Sequence, residues 1–591
     1  MFGMVSSIAP RAFPTLVVPR RSSRTISARS LGDDQSSTEA NSYRKTPAPA
    51  AATGTAVAAE TLSGYERSSW GNFFIEYEPQ PLKRSEEWMR MRVDELKVDV
   101  CLLFKECTND MIGTLTLVDA VQLLGIDHLF QGQIDIALRY IHERDFNSSS
   151  LYEVALRFRL LREHGLWVSP DVFHKFMDGC GSFREEITNE PKGLLGLYNA
   201  AFLSVHGEPE LEEASSFARY HLESMRRKLK SPLAEQVDRA LNIPLPRTYR
   251  RLETLHGFTE YKREEGHNPT LLELAKLEFT LLQHVHSKEL KSLSRWWEYA
   301  YEYIGLSYIR DRLVEAYTWS YILYYEKDFV MARQMVTKIT TLLTVMNDTY
   351  DVHATIEESR LLNTAIQRWD HDAETHLPEY LKMFYDLLLT TFKEFEDQLE
   401  LEQRNQVVYV KKQFQRLSSY YLQEAEWTHQ NFKPSFENHL NVTGKSIGVP
   451  LLCVASVVGM GDALRKGTME WVVDGPIVTS CGKIIRLLND MGATDLGKNK
   501  GDVATSVECC YTHEHKVNSE VALARIDSFM EDEWKTINQA RFEDATPGFL
   551  KIVINFAADT SLFYGRNKEG YTFGTQLHEA LHSLYVKSVV M

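Results

Sequence analysis

Apolar residues recur every three or four positions along most of the chain, and short polar stretches separate the apolar runs. Within residues 87–248, for example, Leu117, Val121 and Leu124 have the spacing of one face of an α-helix. No fixed-length repeat relates the runs to one another, which argues against a helical-repeat solenoid. The pattern therefore predicts a succession of amphipathic helices joined by short turns.

A second series of predicted helices begins near His256 and continues to the C-terminus. Asn268-Pro269-Thr270 is a helix-start sequence, because proline is tolerated in the first turn and Thr270 and Glu273 have the spacing of a capping box. Apolar residues at helical spacing follow: Leu274, Leu277, Leu281 and Val285. We predict an all-α protein with two helical domains, an N-terminal domain at 63–255 and a C-terminal domain at 256–591.

Composition agrees with a helical protein and excludes several classes of function. Proline (19) and glycine (31) are sparse in 591 residues, against average usage of roughly 5% and 7%. A formal net charge of −15 argues against nucleic acid as a partner. No uninterrupted apolar run approaches the roughly 18 residues of a membrane-spanning helix, so we expect none. Seven cysteines, without Cys-x-x-Cys spacing, predict a reduced protein without structural disulfides.

The first 62 residues differ in composition from the rest of the chain. Residues 1–32 contain no Asp or Glu but are rich in arginine and serine, which is typical of an organelle transit peptide. The residues that follow, through Gly54, form a low-complexity linker. We expect residues 1–62 to be a leader for import into the plastid. The alternative is an ordinary disordered tail on a cytoplasmic protein.

The candidate chemistry centres on Asn347-Asp348-Thr349-Tyr350-Asp351. Residues i and i+4 of a helix share a face, and residue i+3 lies beside them, so Asn347, Asp348 and Asp351 can converge on one cation. Magnesium prefers oxygen ligands, usually one or two carboxylates together with water and phosphates. Apolar residues at helical spacing precede the motif: Met335, Ile339, Leu342, Leu343 and Met346. The motif is therefore predicted to end an amphipathic helix, although alone it could be a solvated acidic helix end.

Two further polar clusters accompany this motif. Arg310-Asp311-Arg312 lies upstream, and Arg486-Leu487-Leu488-Asn489-Asp490 follows an apolar helix downstream. Together the three clusters combine oxygen ligands with fixed positive charges. This combination indicates a pocket for a polyanion that is held through metal ions.

From about Trp70 to the C-terminus, short segments in order along the chain resemble the plant class I terpene synthases. The matching segments are Trp70-Gly71-Asn72-Phe73-Phe74, Ala155-Leu156-Arg157-Phe158-Arg159-Leu160-Leu161-Arg162, Leu272-Glu273-Leu274-Ala275-Lys276-Leu277, Arg310-Asp311-Arg312-Leu313-Val314-Glu315 and Glu424-Ala425-Glu426-Trp427. The resemblance implies a class I terpenoid synthase α-bundle preceded by a helical domain without chemistry of its own. It also implies a monomer that uses Mg²⁺, or Mn²⁺, to ionise a prenyl diphosphate and to cyclise or rearrange the resulting cation.

The resemblance assigns roles to individual residues. The implied catalytic residues are Arg310, Arg312, Trp319, Arg486, Tyr564 and Tyr571. The implied substrate-binding residues are Arg310, Asn347, Asp351, Arg486 and Asn489. The implied metal ligands are Asn347, Asp348, Asp351, Asn489 and Asp490. In addition, Tyr564, Glu569, Gly570 and Tyr571 resemble the family's lid, and Thr443–Gly448 stands where the family breaks a helix.

The sequence departs from the family pattern at three ligand positions. Asn347 replaces the first of two aspartates. Counted from Asn489, the second site has Ala493 and Gly497 where the family has Ser or Thr and Glu. Asn347 has one negative charge fewer than an aspartate, and Ala493 and Gly497 have no side-chain oxygen at all. An inactive or impaired homologue is therefore the first alternative, and an all-helical binding scaffold is the alternative from another class.

A shift of register by one residue gives a different second site. It places Asp490 and Thr494 at i and i+4, with Lys498 as the third member. The shift turns the helix face by about 100°, and a lysine would contact the diphosphate rather than a metal. Both registers remain open at the level of sequence.

Substrate length is indicated only indirectly. Arg67-Ser68-Ser69-Trp70 has a single arginine, whereas many monoterpene synthases carry a tandem-arginine motif there. The single arginine favours farnesyl diphosphate, which has fifteen carbons. Geranyl diphosphate is the next candidate, because plastids mainly supply the ten- and twenty-carbon prenyl diphosphates. Product skeleton and stereochemistry depend on the shape of the cavity.

Overall fold

The structure is a computed structural model that describes residues 68–79, 84–460, 475–495, 511–543, 547–565 and 568–589. The side chains of 402, 493–495 and 547 are not described. The described residues belong to one compact unit. The predicted leader 1–62, together with Gly497 and Lys498, lies outside them.

Helices form most of the described N-terminal half. They are α1 (Phe73–Glu76), α2 (Glu86–Glu106), α3 (Met111–Leu123), α4 (Gln131–His142), α5 (Leu151–Glu163), α6 (Pro191–Ala201), α7 (Pro209–Met225), α8 (Leu233–Asn242) and α9 (Arg250–Tyr261). Helix α5 packs against α6, and α6 packs against α7. The predicted succession of amphipathic helices is confirmed here.

The described C-terminal half is also helical. Its helices are α10 (Pro269–Ile304), α11 (Leu313–Leu323), α12 (Val330–Asp348), α13 (Ile356–Arg368), α14 (Glu379–Gln398), α15 (Leu401–Arg404), α16 (Val407–His429), α17 (Phe436–Ser446), α18 (Val449–Gly459), α19 (Pro476–Asp495), α20 (Thr512–His515), α21 (Ser519–Gln539), α22 (Pro547–Asp559) and α23 (His578–Tyr585). Two short antiparallel strands, β1 (Tyr564–Gly565) and β2 (Lys568–Glu569), form a hairpin before the last helix.

The start of α10 differs from the prediction in one detail. Asn268 is the N-cap, and its side-chain oxygen accepts a 2.9 Å hydrogen bond from the Thr270 backbone N–H. The predicted capping box between Thr270 and Glu273 is wrong, because Glu273 instead forms a 2.9 Å ion pair with Arg92 on α2. This ion pair fixes the N-terminal helices against the long helix α10.

The predicted boundary between the two domains lies at 255/256, inside helix α9. The two halves also share polar contacts. Arg247 forms a bidentate ion pair with Glu531 on α21, at 2.6 and 2.7 Å. The division into two domains therefore stays a prediction, with helix α9 continuous across it.

Helix α12 crosses the centre of the C-terminal half. It packs against α11 on one side and against α18 on another, and Met335, Ile339, Leu342 and Met346 are all fully buried. The helix ends at Asp348 and continues as one π-helical turn, Thr349–His353. Such π turns are frequent at functional sites. The prediction that the motif ends an amphipathic helix is confirmed.

Helices α17, α18 and α19 form a further wall of the site that is described below. The predicted helix break is confirmed, because Gly448 separates α17 from α18 with a left-handed φ of 93° that glycine adopts without strain. Gly482 of α19 lies directly against Gly444 of α17, and a Cβ at Gly482 would be only 2.1 Å from the Gly444 carbonyl oxygen. The two helices can approach this closely because residue 482 has no side chain.

One helical stretch among the described residues, Phe436–Gly459, is long and apolar enough to cross a membrane by length and composition. The stretch includes Glu437, His439 and Lys445, so it is not the uninterrupted apolar run that we expected to be absent. The same stretch is 72% buried inside the protein, as core helices are. It is weak evidence for a membrane span, and it forms a wall of the site described next.

Candidate active site

The three polar clusters meet beside a cavity of about 110 Å³, which we call the inner cavity. Its wall includes Arg310, Trp319, Thr344, Asn347, Asp351, Tyr421, Glu424, Arg486, Asn489, Asp490, Tyr564, Glu569 and Tyr571. A second cavity of about 250 Å³, the outer chamber, adjoins it. Asp351, Glu424 and Arg486 line both. The site thus has an apolar interior and a charged rim that is shared by two spaces.

Asn347 connects an arginine to a carboxylate. Its Oδ1 accepts a 2.7 Å hydrogen bond from Arg310 Nη2, and its Nδ2 donates a 2.7 Å hydrogen bond to Asp351 Oδ2. The assignment of oxygen and nitrogen follows from this network, since Arg310 can only donate. In this arrangement Asn347 directs a donor, rather than an oxygen, at Asp351. A cation at Asp351 would therefore compete with the amide of Asn347.

Asp348 faces away from the inner cavity. It is 0% exposed, its Oδ2 accepts a 2.7 Å hydrogen bond from the Arg310 backbone N–H, and its Oδ1 lies 2.7 Å from Arg310 Nη2. The direct metal contact of Asp348 stays a prediction, and it would require a carboxylate oxygen to leave Arg310, because both oxygens are directed at that residue. Asp348 instead positions the guanidinium that lines the cavity.

Arg312 does not line the inner cavity either. Its guanidinium is buried and donates to the backbone carbonyls of Asp311 (2.7 Å), Tyr571 (3.0 Å) and Thr572 (2.7 Å). The catalytic role implied for Arg312 stays a prediction, whereas its contacts in this structure are structural. Arg312 holds the loop after β2 against the segment that precedes α11.

We expect Arg312→Lys to destabilise the protein by about 2–4 kcal/mol, because an ammonium cannot serve several carbonyls as a planar guanidinium does and buried acceptors are left unpaired. Urea unfolding measures this loss. Arg368→Lys is the control, since Arg368 is exposed and pairs with Asp370 two residues away. Equal stability of the two variants would contradict the role assigned to Arg312.

Aromatic rings form the apolar side of the inner cavity. Trp319 stacks on Phe563 with ring centroids 3.9 Å apart, and it lies 5.9 Å from Tyr564 and 6.4 Å from Tyr571. The Tyr571 hydroxyl and Thr344 Oγ1 are 2.6 Å apart. Burial raises the pKa of Tyr564 well above its ordinary value, so the phenol stays neutral. The structure thus places the three predicted aromatic residues around one space.

The second predicted ligand cluster is engaged within the protein. Arg486 and Asp490 form a 2.9 Å ion pair, and Asn489 Nδ2 donates to Glu569 Oε1 at 3.3 Å. Both carboxylate oxygens of Glu569 also accept from the Thr572 backbone N–H, at 3.2 Å. The direct metal contacts of Asn489 and Asp490 remain predictions, and each would have to exchange one of these partners. Glu569 ties the lid segment to α19.

Glu424 is a site residue that sequence reasoning did not single out. It lies on α16 and lines both cavities together with Asp351. The segment Glu424–Trp427 is one of the family matches in the sequence, and that match is the signal that could have identified Glu424. Asp351 and Glu424 line the same two cavities, and carboxylates are ligands that a hard cation prefers. No group of three or more His, Cys, Asp or Glu with metal-site geometry occurs among the described residues.

A larger cavity of about 430 Å³ lies in the N-terminal half, away from these clusters. Several charges in its wall neutralise one another. Arg239 pairs with Glu253 at 3.0 Å and with Glu260 at 2.7 Å, and Arg159 pairs with Asp119. Size alone would favour this cavity, but it does not combine a cationic rim with an aromatic wall. The smaller inner cavity is therefore the better candidate for the active site.

The chain belongs to the terpene synthase family. The family model described as "Terpene synthase, N-terminal domain" matches residues 69–241, and the one described as "Terpene synthase family, metal binding domain" matches residues 301–536. The three clusters of the site begin within the second match. The recognition made from the sequence is confirmed.

Among curated relatives, the tau-cadinol synthase of Zea mays is 48% identical over 530 residues, which cover 88% of this chain and 96% of the relative. The alpha-copaene synthase of Zea mays is 46% identical over 537 residues, with 88% and 99% covered. These relatives confirm the enzyme class predicted from the sequence, and they leave no support for a binding scaffold.

Solved structures confirm the all-α fold. Limonene synthase with 2-fluorolinalyl diphosphate has a TM-score of 0.83 at 28% identity, covering 90% of this chain and all of that one. Isoprene synthase from grey poplar, in complex with three Mg²⁺ ions and dimethylallyl-S-thiolodiphosphate, has a TM-score of 0.78 at 29% identity, with 88% and 99% covered. Both likenesses extend over nearly the whole of the compared chains.

Proposed function

We propose that this protein converts farnesyl diphosphate into a sesquiterpene, with release of diphosphate, as a magnesium-dependent monomer in which manganese can replace magnesium. The observation that carries the proposal is the inner cavity, where an aromatic wall adjoins a rim of arginines and carboxylates. The rim suits a diphosphate group and the wall suits a hydrocarbon chain. Geranyl diphosphate is the second candidate substrate.

Different rim residues make different contributions to diphosphate binding. Arg310 and Arg486 supply fixed positive charge, and their positions are set by Asp348 and Asp490. Asp351 and Glu424 would hold magnesium, with Asn347, Asn489 and Asp490 as further oxygen donors after exchange of partners. When bound, magnesium acts as a Lewis acid that neutralises charge on the departing diphosphate.

The aromatic wall handles the cation left after ionisation. The faces of Trp319, Tyr564 and Tyr571 carry negative quadrupole charge and can stabilise a cation by roughly 0.5–2 kcal/mol each. The ring of Phe563 behind Trp319 keeps the wall apolar. Exclusion of water protects a reactive intermediate from premature quenching. Arg312 and Glu569 hold the lid segment that contributes Tyr571.

The relatives support a fifteen-carbon substrate, because tau-cadinol and alpha-copaene are sesquiterpenoids. The structures with 2-fluorolinalyl diphosphate and with three Mg²⁺ ions support prenyl diphosphate and magnesium as ligands of this fold. A competition assay tests the chain length. Equal concentrations of geranyl, farnesyl and geranylgeranyl diphosphate are mixed with enzyme and magnesium, and products are separated by gas chromatography. Predominance of ten- or twenty-carbon products would overturn the choice of farnesyl diphosphate.

An impaired enzyme is the second candidate, and two contacts favour it. The Asn347 amide already donates a hydrogen bond to Asp351, and Arg486 already forms an ion pair with Asp490. Impairment predicts that a prenyl diphosphate analogue binds while turnover is undetectable at any magnesium concentration. Calorimetric titration and a product assay on the same preparation separate this outcome from a competent enzyme.

For the leader, we propose plastid import. The support is the acid-free, arginine-rich composition of residues 1–32. A fluorescent protein fused to residues 1–60 should accumulate in chloroplasts of leaf cells. A cytosolic signal would favour the alternative of a cytoplasmic protein with a disordered tail.

We also predict that removal of the leader leaves stability unchanged. A chain that starts at Tyr65 should unfold at the same temperature as the full-length protein, because terminal residues outside a domain contribute little to its folded core. Differential scanning calorimetry of both proteins provides the comparison. A clear fall in Tm after truncation would show that the segment is part of the fold.

A further inference from the structure

Two buried polar side chains in the outer chamber have no hydrogen-bond partner among the described residues. His439 on α17 is 2% exposed, and neither ring nitrogen is bonded; Ser359 on α13 is 1% exposed, and its Oγ is not bonded. Buried polar groups are normally paired, because desolvation without a partner costs free energy. Both side chains face the outer chamber. An unpaired donor in a chamber wall is available to a ligand that enters the chamber.

The buried His286 and the half-buried His164 do not share this feature. His286 bonds to the Tyr317 hydroxyl at 2.7 Å and to the Tyr325 carbonyl at 3.0 Å. His164 bonds to Gln122 at 2.9 Å. Both of these histidines thus have hydrogen-bond partners within the protein, whereas His439 in the outer chamber has none among the described residues.

The surroundings of His439 define the chemistry of this ligand. Its ring lies nearly parallel to Trp427, 6.2 Å away, and Arg486, Asp351 and Glu424 complete the charged side of the chamber. Burial and the positive charge of Arg486 lower the pKa of His439 to about 3, so the imidazole is neutral and can donate one N–H. A donor next to an arginine suits an anion. The two carboxylates would repel that anion unless a divalent cation lay between them.

We propose that the outer chamber is an accessory binding site for a diphosphate group, in which His439 and Ser359 donate hydrogen bonds to its oxygens beside Arg486. This inference rests on the proposed function, since magnesium at Asp351 and Glu424 makes the rim attractive to an anion. The chamber shares those two residues and Arg486 with the inner cavity. A diphosphate in the outer chamber is therefore adjacent to the position from which it would be released.

The test uses two nearly isosteric replacements in the full chain. His439→Gln keeps a side-chain donor, whereas His439→Met has a similar shape without one, so both lose the ring equally. Isothermal titration with inorganic diphosphate at saturating magnesium measures affinity. We expect His439→Met to bind roughly tenfold more weakly than His439→Gln, the size of one hydrogen bond to a charged group. Ser359→Ala should weaken binding by a smaller factor.

His429→Phe is the control, because His429 lies at the exposed edge of the same chamber and should leave affinity unchanged. Equal affinities of the Gln and Met variants would overturn the proposal, as would an equal loss in the control. Failure of the wild-type protein to bind inorganic diphosphate with magnesium would remove the proposed function itself. Tm without ligand should be no lower for Met than for Gln, since no native hydrogen bond is lost.

The substrate's own diphosphate and the released product share this chemistry. KM for farnesyl diphosphate, measured on the Gln and Met variants, distinguishes them. A difference confined to inorganic diphosphate assigns the chamber to the released product, whereas a parallel rise in KM assigns it to the substrate. No difference in either quantity overturns the proposal.

Discussion

Replacement of Asp351 by alanine should reduce product formation to about one hundredth of the wild-type rate or less. Asp351 is the motif carboxylate that lines both the inner cavity and the outer chamber. Loss of groups that merely support a metal ligand typically costs 10–100-fold, and loss of a direct ligand should cost more. The effect should appear in kcat/KM at every magnesium concentration. Product can be quantified by gas chromatography.

Asp372→Ala is the matched control, because Asp372 is an exposed carboxylate in a short turn between α13 and α14. It should retain wild-type activity, and both variants should keep the helical circular dichroism spectrum. Product formation by Asp351→Ala at the rate of Asp372→Ala would place the metal site elsewhere.

The substitution Arg310→Lys tests whether the same site needs a guanidinium at this position rather than a positive charge alone. The lysine keeps the charge but cannot reproduce the contacts of Arg310 to Asn347, Asp348 and Thr572. We expect a loss of activity comparable to that of Asp351→Ala, together with a weaker affinity for inorganic diphosphate. Retained activity would show that a point charge is sufficient there.

Restoring the family's residue types should have the second large effect, in the opposite direction. We expect the combined variant Asn347→Asp, Ala493→Thr and Gly497→Glu to raise turnover and to lower the magnesium concentration needed. Asn347→Asp removes the amide donor that engages Asp351 and puts two carboxylates side by side. Gly497 lies outside the described residues, and the side chain of Ala493 is not described, so these two changes rest on the sequence pattern.

Single restorations should achieve little, because residues of one metal–diphosphate cluster act together. Asn347→Asp alone should lower Tm in EDTA through repulsion from Asp351, and magnesium should restore it. Asn405→Asp adds the same charge at an exposed position and should show no such magnesium dependence. If the combined variant is no better than wild type, the natural residues form a working alternative site.

The helical fold could be predicted because its information is local. The apolar spacing before Asn347 predicts helix α12, whereas the break between α17 and α18 was implied by the family resemblance of residues 443–448. The start of α10 was placed correctly, whereas its capping partner was not. Glu273 had the right spacing for a capping box, but Arg92 lies 181 residues away in sequence and competes for it.

The directions of site residues could not be predicted in the same way. The argument from i, i+3 and i+4 spacing assumes a regular α-helix, but the chain forms a π turn directly after Asp348. Asp351 lies in that turn, so regular α-helical spacing does not place it relative to Asn347, and Asp348, the last residue of the regular helix, bonds to Arg310. Arg312 bonds to the Tyr571 and Thr572 carbonyls, roughly 260 residues away. Contacts of that kind depend on tertiary packing, which a local pattern does not contain.

Glu424 and His439 are site residues that the local sequence pattern did not single out. Each lies on a helix whose sequence reads as ordinary amphipathic structure, and each gains significance only because α16 and α17 face the end of α12. Glu424 shares the rim with Asp351, 73 residues earlier in the chain, and His439 shares the outer chamber with Arg486, 47 residues later. Packing, rather than a motif, brings them to the rim.

The most direct test of the central claim is the product of the purified chain, without residues 1–60, after incubation with farnesyl diphosphate. Gas chromatography with mass spectrometry is run on parallel reactions with magnesium and with EDTA. We predict a fifteen-carbon terpenoid and inorganic diphosphate with magnesium, and neither with EDTA. A folded protein that yields no terpenoid from farnesyl diphosphate at any magnesium or manganese concentration would contradict the account.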